Sequence, residues 1–329
     1  MNNDDFRIVF MGTPDFAVES LKRLNENFKI VAVVTAPDKP RGRGQEITPT
    51  PVKKFAIENS LPVLQPANMK SEDFIEALKL LKPDLIVIVA FRMLPEVVWS
   101  LPRLGSINLH ASLLPQYRGA APINHAIING ETLTGVTTFF LQHEIDTGNI
   151  IQSKEVIIEH TDNAGTLHDK LMLIGAEVLI ETVQSVKDNN YTATPQNILD
   201  INKLKLAPKI NKDFCSIDWN QNGKSVNNFI RGLSPYPGAF TQSIINQKPV
   251  YFKIYNGYFE EENNNSKPGT VLINKNQLKV SVSDGWYIIT EIQQSGKKRM
   301  FISDFLNGLG GQNDTIKLHY TLNPQTSNK

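Results

Sequence analysis

Asn108 and His110 stand two apart at the end of the run GSINLH, residues 105–110. In a strand, residues i and i+2 project from the same face, so the amide and the imidazole would point together. Asp146 follows at the end of a second strand-like run, VTTFFLQHEIDTG. A carboxylate beside an imidazole beside an amide can move protons and donate to a developing oxyanion. That chemistry is acyl transfer through a tetrahedral intermediate. Taken singly, a histidine at a strand end is more often a packing residue, and an asparagine near a turn is usually turn chemistry. The reading rests on the three together. No serine or cysteine is set up as a nucleophile, and Cys215, the one cysteine, lies elsewhere in the chain.

The surrounding pattern must deliver these residues. Apolar runs predict strands at 8–10, 29–37, 62–64, 85–89, around 107 and at 135–141. Helical spacing appears at 17–24, 50–59, 71–82 with Ser71 as N-cap, 94–100 and 120–129. A long amphipathic helix is expected over 164–188, with Leu167, Leu171, Leu173, Leu179 and Val183 on its apolar stripe. Strands alternating with helices imply an α/β fold, a doubly wound, mostly parallel Rossmann-like sheet. Ligands bind such sheets beyond the carboxyl ends of the strands. Gly12, Phe91, His110 and Asp146 all fall at or past such ends. The first turn, Gly12-Thr13-Pro14, lacks the G-x-G-x-x-G pattern, and Pro14 has no N–H for a phosphate, which argues against a dinucleotide.

The texture changes near residue 190. Residues 190–207 are polar and aperiodic and read as a linker. After a helix near 223–232, short strand-like runs separated by Gly, Asn and Pro turns predict a smaller C-terminal β-barrel, OB-like, over 208–315, with a tail at 316–329. The catalytic domain would then be 1–189.

Composition describes an ordinary globular chain of 329 residues, 40% hydrophobic and 20% charged. One cysteine cannot form an internal disulfide. The N-terminus MNNDDF has no basic n-region, and the longest apolar run, Leu85–Phe91, is too short to span a bilayer. A cytoplasmic protein without a membrane partner is expected. From residue 201 onward there are 16 Lys or Arg against 9 Asp or Glu, a net of +7, while residues 1–200 carry a net of −6. That asymmetry hints at a polyanionic partner for the second half. The histidines show no metal-ligand spacing, so no metal is expected.

Asn108-Leu109-His110, Ser112-Leu113-Leu114-Pro115 and Asp146-Thr147-Gly148 together resemble the signature of the folate-dependent formyltransferases. FMGTPDFA at 10–17, TAPDKPRGRG at 35–44, TPTPVK at 48–53, YRGAAPI at 117–123 and KPGTVL at 267–272 resemble the tRNA-directed members, across nearly the whole chain. The resemblance implies a formyl donor, 10-formyltetrahydrofolate, and an acceptor, initiator methionyl-tRNA; a monomer is expected. It implies Asn108, His110 and Asp146 as catalytic residues. It lays the folate along Val89, Ala90, Phe91, Arg92, Met93 and Leu94 and the turn Ser112, Leu113, Leu114 and Pro115. Members often show Tyr-Gly where this chain has Phe91-Arg92, so Arg92 would close over the ligand or face solvent. The basic loop 37–54, with Lys39, Arg41 and Arg43, and the cluster Lys297, Lys298 and Arg299 would contact the tRNA. A sugar-nucleotide N-formyltransferase and a non-catalytic RNA-binding protein are the rival readings. The basic C-terminal part argues against the first, the intact Asn-His-Asp set against the second.

Overall fold

The computed structural model describes residues 6–41, 46–196, 201–245, 248–263, 265–274 and 276–308. Arg43, the Arg41 side chain, residues 197–200 of the expected linker and the 316–329 tail lie outside the described residues. The described residues form two compact units, one drawn from 1–122, 133–157 and 167–208, the other from 123–132, 158–166 and 209–308.

The first unit is built on β1 (Arg7–Gly12), apolar and buried along five of its six residues, as a strand covered on both faces must be. α1 (Phe16–Asn27) buries Phe16, Ala17, Leu21 and Leu24 on one stripe and leads to β2 (Lys29–Val34). A Cβ on Gly12 would sit 2.8 Å from the Ala17 Cβ, so this glycine serves the close packing of α1 on the strand end. The loop expected over 37–54 holds two antiparallel paired strands, β3 (Lys39–Arg41) and β4 (Glu46–Thr48), with Pro40 opposite Ile47, while Gly42 and Gly44 lie outside the described residues. α2 (Pro51–Glu58) starts with proline, and its N-cap Thr50 hydroxyl accepts from the Lys53 N–H at 3.0 Å.

β5 (Val63–Leu64), α3 (Glu72–Leu80), β6 (Leu85–Val89), α4 (Glu96–Trp99) and β7 (Ser106–His110) follow. Ser71 occupies the N-cap position of α3, but its hydroxyl donates backwards to the Asn68 carbonyl at 3.0 Å rather than capping the helix. Along the chain then come β8 (Arg118–Gly119), α5 (Pro122–Ile128), which apart from Pro122 belongs to the second unit, β9 (Leu133–Phe140), β10 (Ile150–Ile157) and α6 (Ala164–Lys187), which belongs to the first unit from Leu167 onward. α6 buries Leu167, Leu171, Leu179 and Val183, but Leu173 is out of phase with them and is exposed.

The seven-stranded sheet has the order β10-β9-β7-β6-β1-β2-β5. Strands β7 through β5 pair in parallel, and β9 and β10 extend the sheet antiparallel. β10, unforeseen from the sequence, is a mixed polar edge strand with one buried residue, Val156. Parts of the stretch expected to be a linker pair with strands of this unit. Thr194 bridges Ile150, and β11 (Leu206–Ala207) pairs in parallel with β8.

The second unit contains α7 (Gly223–Leu233), β12 (Ala239–Ile245), β13 (Lys248–Glu261), β14 (Val271–Ile273), β15 (Leu278–Val282), β16 (Gly285–Gln294), β17 (Met300–Phe301) and α8 (Ile302–Gly308). Its strands form one antiparallel sheet, β12-β13-β16-β15-β14, with β17 on β16. The register of β13 shifts near Asn256, which bends the sheet around Trp219, Ile230, Phe252, Val280, Tyr287 and Phe305. Among the described residues no ladder joins the three-residue β14 back to β12. The Cys215 thiol is buried in this core, donates to the Asn211 carbonyl at 3.2 Å, and is pushed up by burial.

Candidate active site

β7 lies between β6 and β9, and its residues alternate faces. Gly12 pairs with Val89, and Val89 with Leu109, so the ends of β1, β6 and β7 share one row across the sheet. His110 is the last residue of β7 and Asn108 precedes it on the same face. Asp146 is not at a strand end. β9 stops at Phe140, and Asp146 sits in the turn that leads to β10, with φ +55°. That left-handed conformation is tolerated by aspartate better than by most residues. Gly148 closes the turn, since a Cβ there would lie 1.6 Å from the Phe140 carbonyl oxygen.

His110 is buried, at 7% exposure. Its Nε2 donates to the carbonyl of Tyr117 at 2.9 Å, which leaves Nδ1 3.8 Å from Oδ2 of Asp146. The second distance is an ion-pair approach, too long for a hydrogen bond. Oδ2 itself accepts from the Gly119 N–H at 2.9 Å. Asn108 is half-buried, and its carboxamide makes no hydrogen bond among the described residues. The arrangement therefore presents one imidazole nitrogen, one carboxylate and one unpaired amide donor, which suits proton transfer at an acyl carbon.

Three residues that sequence reasoning missed hold this set. Tyr117 orients the imidazole. Thr137, opposite His110 on β9, donates to the Ser112 carbonyl at 2.7 Å and accepts from the Leu114 N–H at 3.2 Å, fixing the turn after β7. Gln196 donates to the carbonyls of Asp146 (2.9 Å) and Gly148 (2.8 Å), and its Oε1 accepts from Arg118 Nη2 (2.6 Å) and Nε (3.1 Å). Burial pulls Arg118 below its ordinary range, opposed by the charges of Asp146 and Glu144. Tyr117 and Arg118 sit within YRGAAPI, a visible motif. Gln196 sits in polar, aperiodic sequence and gave no signal.

Of the expected folate-binding residues, Val89, Leu94 and Leu114 are buried, and Leu113 packs over Gly135 of β9. The Ser112 hydroxyl is wholly buried and donates to the Gln116 carbonyl at 2.7 Å, so it holds the turn that ends in half-buried Pro115. Ala90 turns the chain out of β6 with φ +47°. Phe91 is half-buried and Met93 is 69% exposed, while the main chain of residues 91–94 makes no hydrogen bond to other described residues. Apolar surface beside free main-chain donors and acceptors fits a flat heteroaromatic ring. Arg92 does not stand free: its guanidinium carbon lies over the Phe91 ring of this strip, 5.8 Å from the ring centre. Its guanidinium donates to the carbonyls of Pro66 (2.5 Å) and Ala67 (3.2 Å).

The basic residues divide in the same way. Lys39 is exposed on β3, and Lys297 and Lys298 are exposed in the turn before β17. Arg299 is committed to a two-pronged pair with Glu291 and stacks on Tyr255, its guanidinium carbon 4.3 Å from the ring centre. The ion pair holds Arg299 above its ordinary range. Lys53 likewise pairs with Asp38, which also accepts from Gln65 at 2.8 Å. Among the described residues no three His, Cys, Asp or Glu side chains are grouped to hold a metal, and no helix is long and apolar enough to cross a membrane.

A family model described as "Formyl transferase" matches residues 6–183, and one described as "Formyl transferase, C-terminal domain" matches 209–310. The chain is 52% identical to the methionyl-tRNA formyltransferase of Parabacteroides distasonis over 314 residues, 94% of this chain and 97% of that protein. It is 48% identical to the methionyl-tRNA formyltransferase of Flavobacterium johnsoniae, over 93% of this chain and 97% of that one. Among solved structures, an N-formyltransferase from Helicobacter canadensis, in complex with folinic acid and dTDP-3-aminofucose, superposes with a TM-score of 0.65. It covers 89% of this chain and 99% of that one at 22% identity, a likeness of fold.

Proposed function

This chain belongs to the formyl transferase family, and on that premise we propose that it moves the formyl group of 10-formyltetrahydrofolate onto the α-amine of initiator methionyl-tRNA. The acceptor is supported by identity of about half over nearly the full length of relatives named for that reaction. The chemistry is supported above all by one observation: Nδ1 of His110 faces Asp146 while Nε2 is occupied by a backbone carbonyl.

When bound, the folate supplies the formyl carbon as an electrophile carried on N10. The apolar strip of Phe91 and Met93 and the free main chain of 91–94 hold its ring system. Nδ1 of His110 takes a proton from the attacking amine. The same proton then leaves Nδ1 toward the departing nitrogen, so one nitrogen serves both directions. Asp146 keeps a negative charge 3.8 Å from the imidazole, where positive charge develops. The Asn108 amide donates to the formyl oxygen. Lys39, Arg41, Arg43, Lys297 and Lys298 contact tRNA phosphates, and Arg299 packs instead.

The test supplies the purified chain with 10-formyltetrahydrofolate and either charged initiator tRNA or an amino-sugar nucleotide. Formylmethionyl-tRNA is the expected product. Product from the sugar alone would retain the chemistry and replace the acceptor.

A further inference from the structure

The Asp146 turn departs from the ordinary backbone regions, and something must hold it. Its φ of +55° is uncommon outside glycine and persists only where neighbours determine it. The 190–207 segment provides the neighbour. The two hydrogens of the Gln196 carboxamide span the turn, bonding the Asp146 carbonyl at 2.9 Å and the Gly148 carbonyl at 2.8 Å. Its oxygen is held by the Arg118 fork at 2.6 and 3.1 Å. Arg118 precedes Gly119, whose N–H holds the Asp146 carboxylate, and follows Tyr117, whose carbonyl holds His110. The same side chain thus ties the backbone under Asp146 to the strand that orients both catalytic groups.

We propose that Gln196 is a positioning residue of the reaction, through which the segment after α6 locks Asp146 beside His110. The proposal rests on the Asn-His-Asp reading given above. Gln196 touches neither substrate in this scheme and acts through Asp146 and Arg118.

The test compares Gln196→Glu and Gln196→Ala with the unaltered chain. Glutamate has the same length but no N–H, so it loses both carbonyl bonds and sets a charge against those oxygens. Formyl transfer is followed with each substrate varied, and the His110 ring signals are followed by NMR, assigned by their absence in His110→Gln. A misplacement of the acid–base pair by about 1 Å costs ~10²-fold in rate. The expected result is a kcat lowered about 10- to 100-fold by Gln196→Glu, KM for both substrates within twofold, and His110 signals displaced while the other five histidines hold. Unchanged kcat, a loss confined to KM, or unmoved His110 signals in folded Gln196→Glu would each overturn the proposal. If Gln196→Ala fails to fold, Gln196→Glu decides. If the unaltered chain forms no formylmethionyl-tRNA, the functional reading fails, and the displacement of the His110 signals still reads whether Gln196 holds the pair.

Discussion

Nε2 of His110 donates to the Tyr117 carbonyl at 2.9 Å, and that bond selects which imidazole nitrogen is free to react. A carbonyl only accepts, so Nε2 carries a hydrogen and Nδ1 is left toward Asp146. The acid–base nitrogen is therefore chosen by the backbone of the YRG turn, with the carboxylate acting on charge rather than on orientation.

It follows that His110→Gln should lower kcat by about 10²–10⁴-fold. Affinity for tRNA, measured by filter binding, should stay within threefold, because the imidazole is buried and makes no phosphate contact. A matching loss of tRNA affinity would remove His110 from the chemistry.

Asn108 is separable from His110. Its carboxamide is idle among the described residues, so removing it strands no partner there. Asn108→Ala should melt at nearly the same temperature and lose about 10²–10³-fold in kcat, the usual cost of an oxyanion donor. Asn108→Asp should be at least as slow, since it replaces the donor with a repelling charge. Full activity of Asn108→Ala would end the oxyanion assignment.

The basic residues divide by what they already touch. Lys297→Ala and Lys298→Ala should each flatten the plot of log tRNA affinity against log salt by about 0.7–0.9. Arg299→Ala should leave that slope alone. It should instead lower the melting temperature by ~2–4 °C, because it removes the pair with Glu291 and the stack on Tyr255, together about 1 kcal/mol after solvent screening. A salt slope that moves for Arg299 and not for the lysines would reverse the assignment.

Cys215 carries a pH signature. Burial raises its thiol above the unfolded value, so its contribution to stability is complete below the unfolded thiol pKa. That contribution is lost as pH rises through the folded value. Cys215→Ser should therefore flatten the decline of the melting temperature on the alkaline side. A disulfide reagent at neutral pH should label the native thiol far more slowly than the denatured one. Equal labelling rates would mean the thiol is not held in the core.

These side chains differ in how they announce themselves. Asn108 and His110 were legible because the two-residue period of a strand forces them onto one face, whatever the rest of the fold does. The apolar strands of the first unit and the short runs of the second were legible for the same local reason. β10 was not, because an edge strand buries little and its sequence, IIQSKEVI, alternates weakly. The pairing of β3 with β4 hid among prolines and glycines. Gln196 hid best. It bonds main-chain groups far off in sequence, and a glutamine in polar sequence carries no periodic mark. Arg299 shows the converse, a basic triplet whose third member is neutralised by Glu291, eight residues away on the neighbouring strand.

Gly119 joins the chemistry to the segment after α6, and it can be tested at one position. Its φ is +125°, and a Cβ there would lie 2.4 Å from the Ala207 carbonyl oxygen. That oxygen also accepts from the Ala120 N–H at 2.7 Å, so it cannot retreat without breaking the contact of β11 with β8. Gly119→Ala should cost about 1–3 kcal/mol of stability. Because the Gly119 N–H holds the Asp146 carboxylate at 2.9 Å, displacing it should also lower kcat. The two losses should part company on adding stabilising osmolyte, which restores folding but not the geometry of the turn. Gly119→Ala that is as stable and as active as the unaltered chain would mean that β8 and β11 approach less closely than described, and that Asp146 is held by other groups.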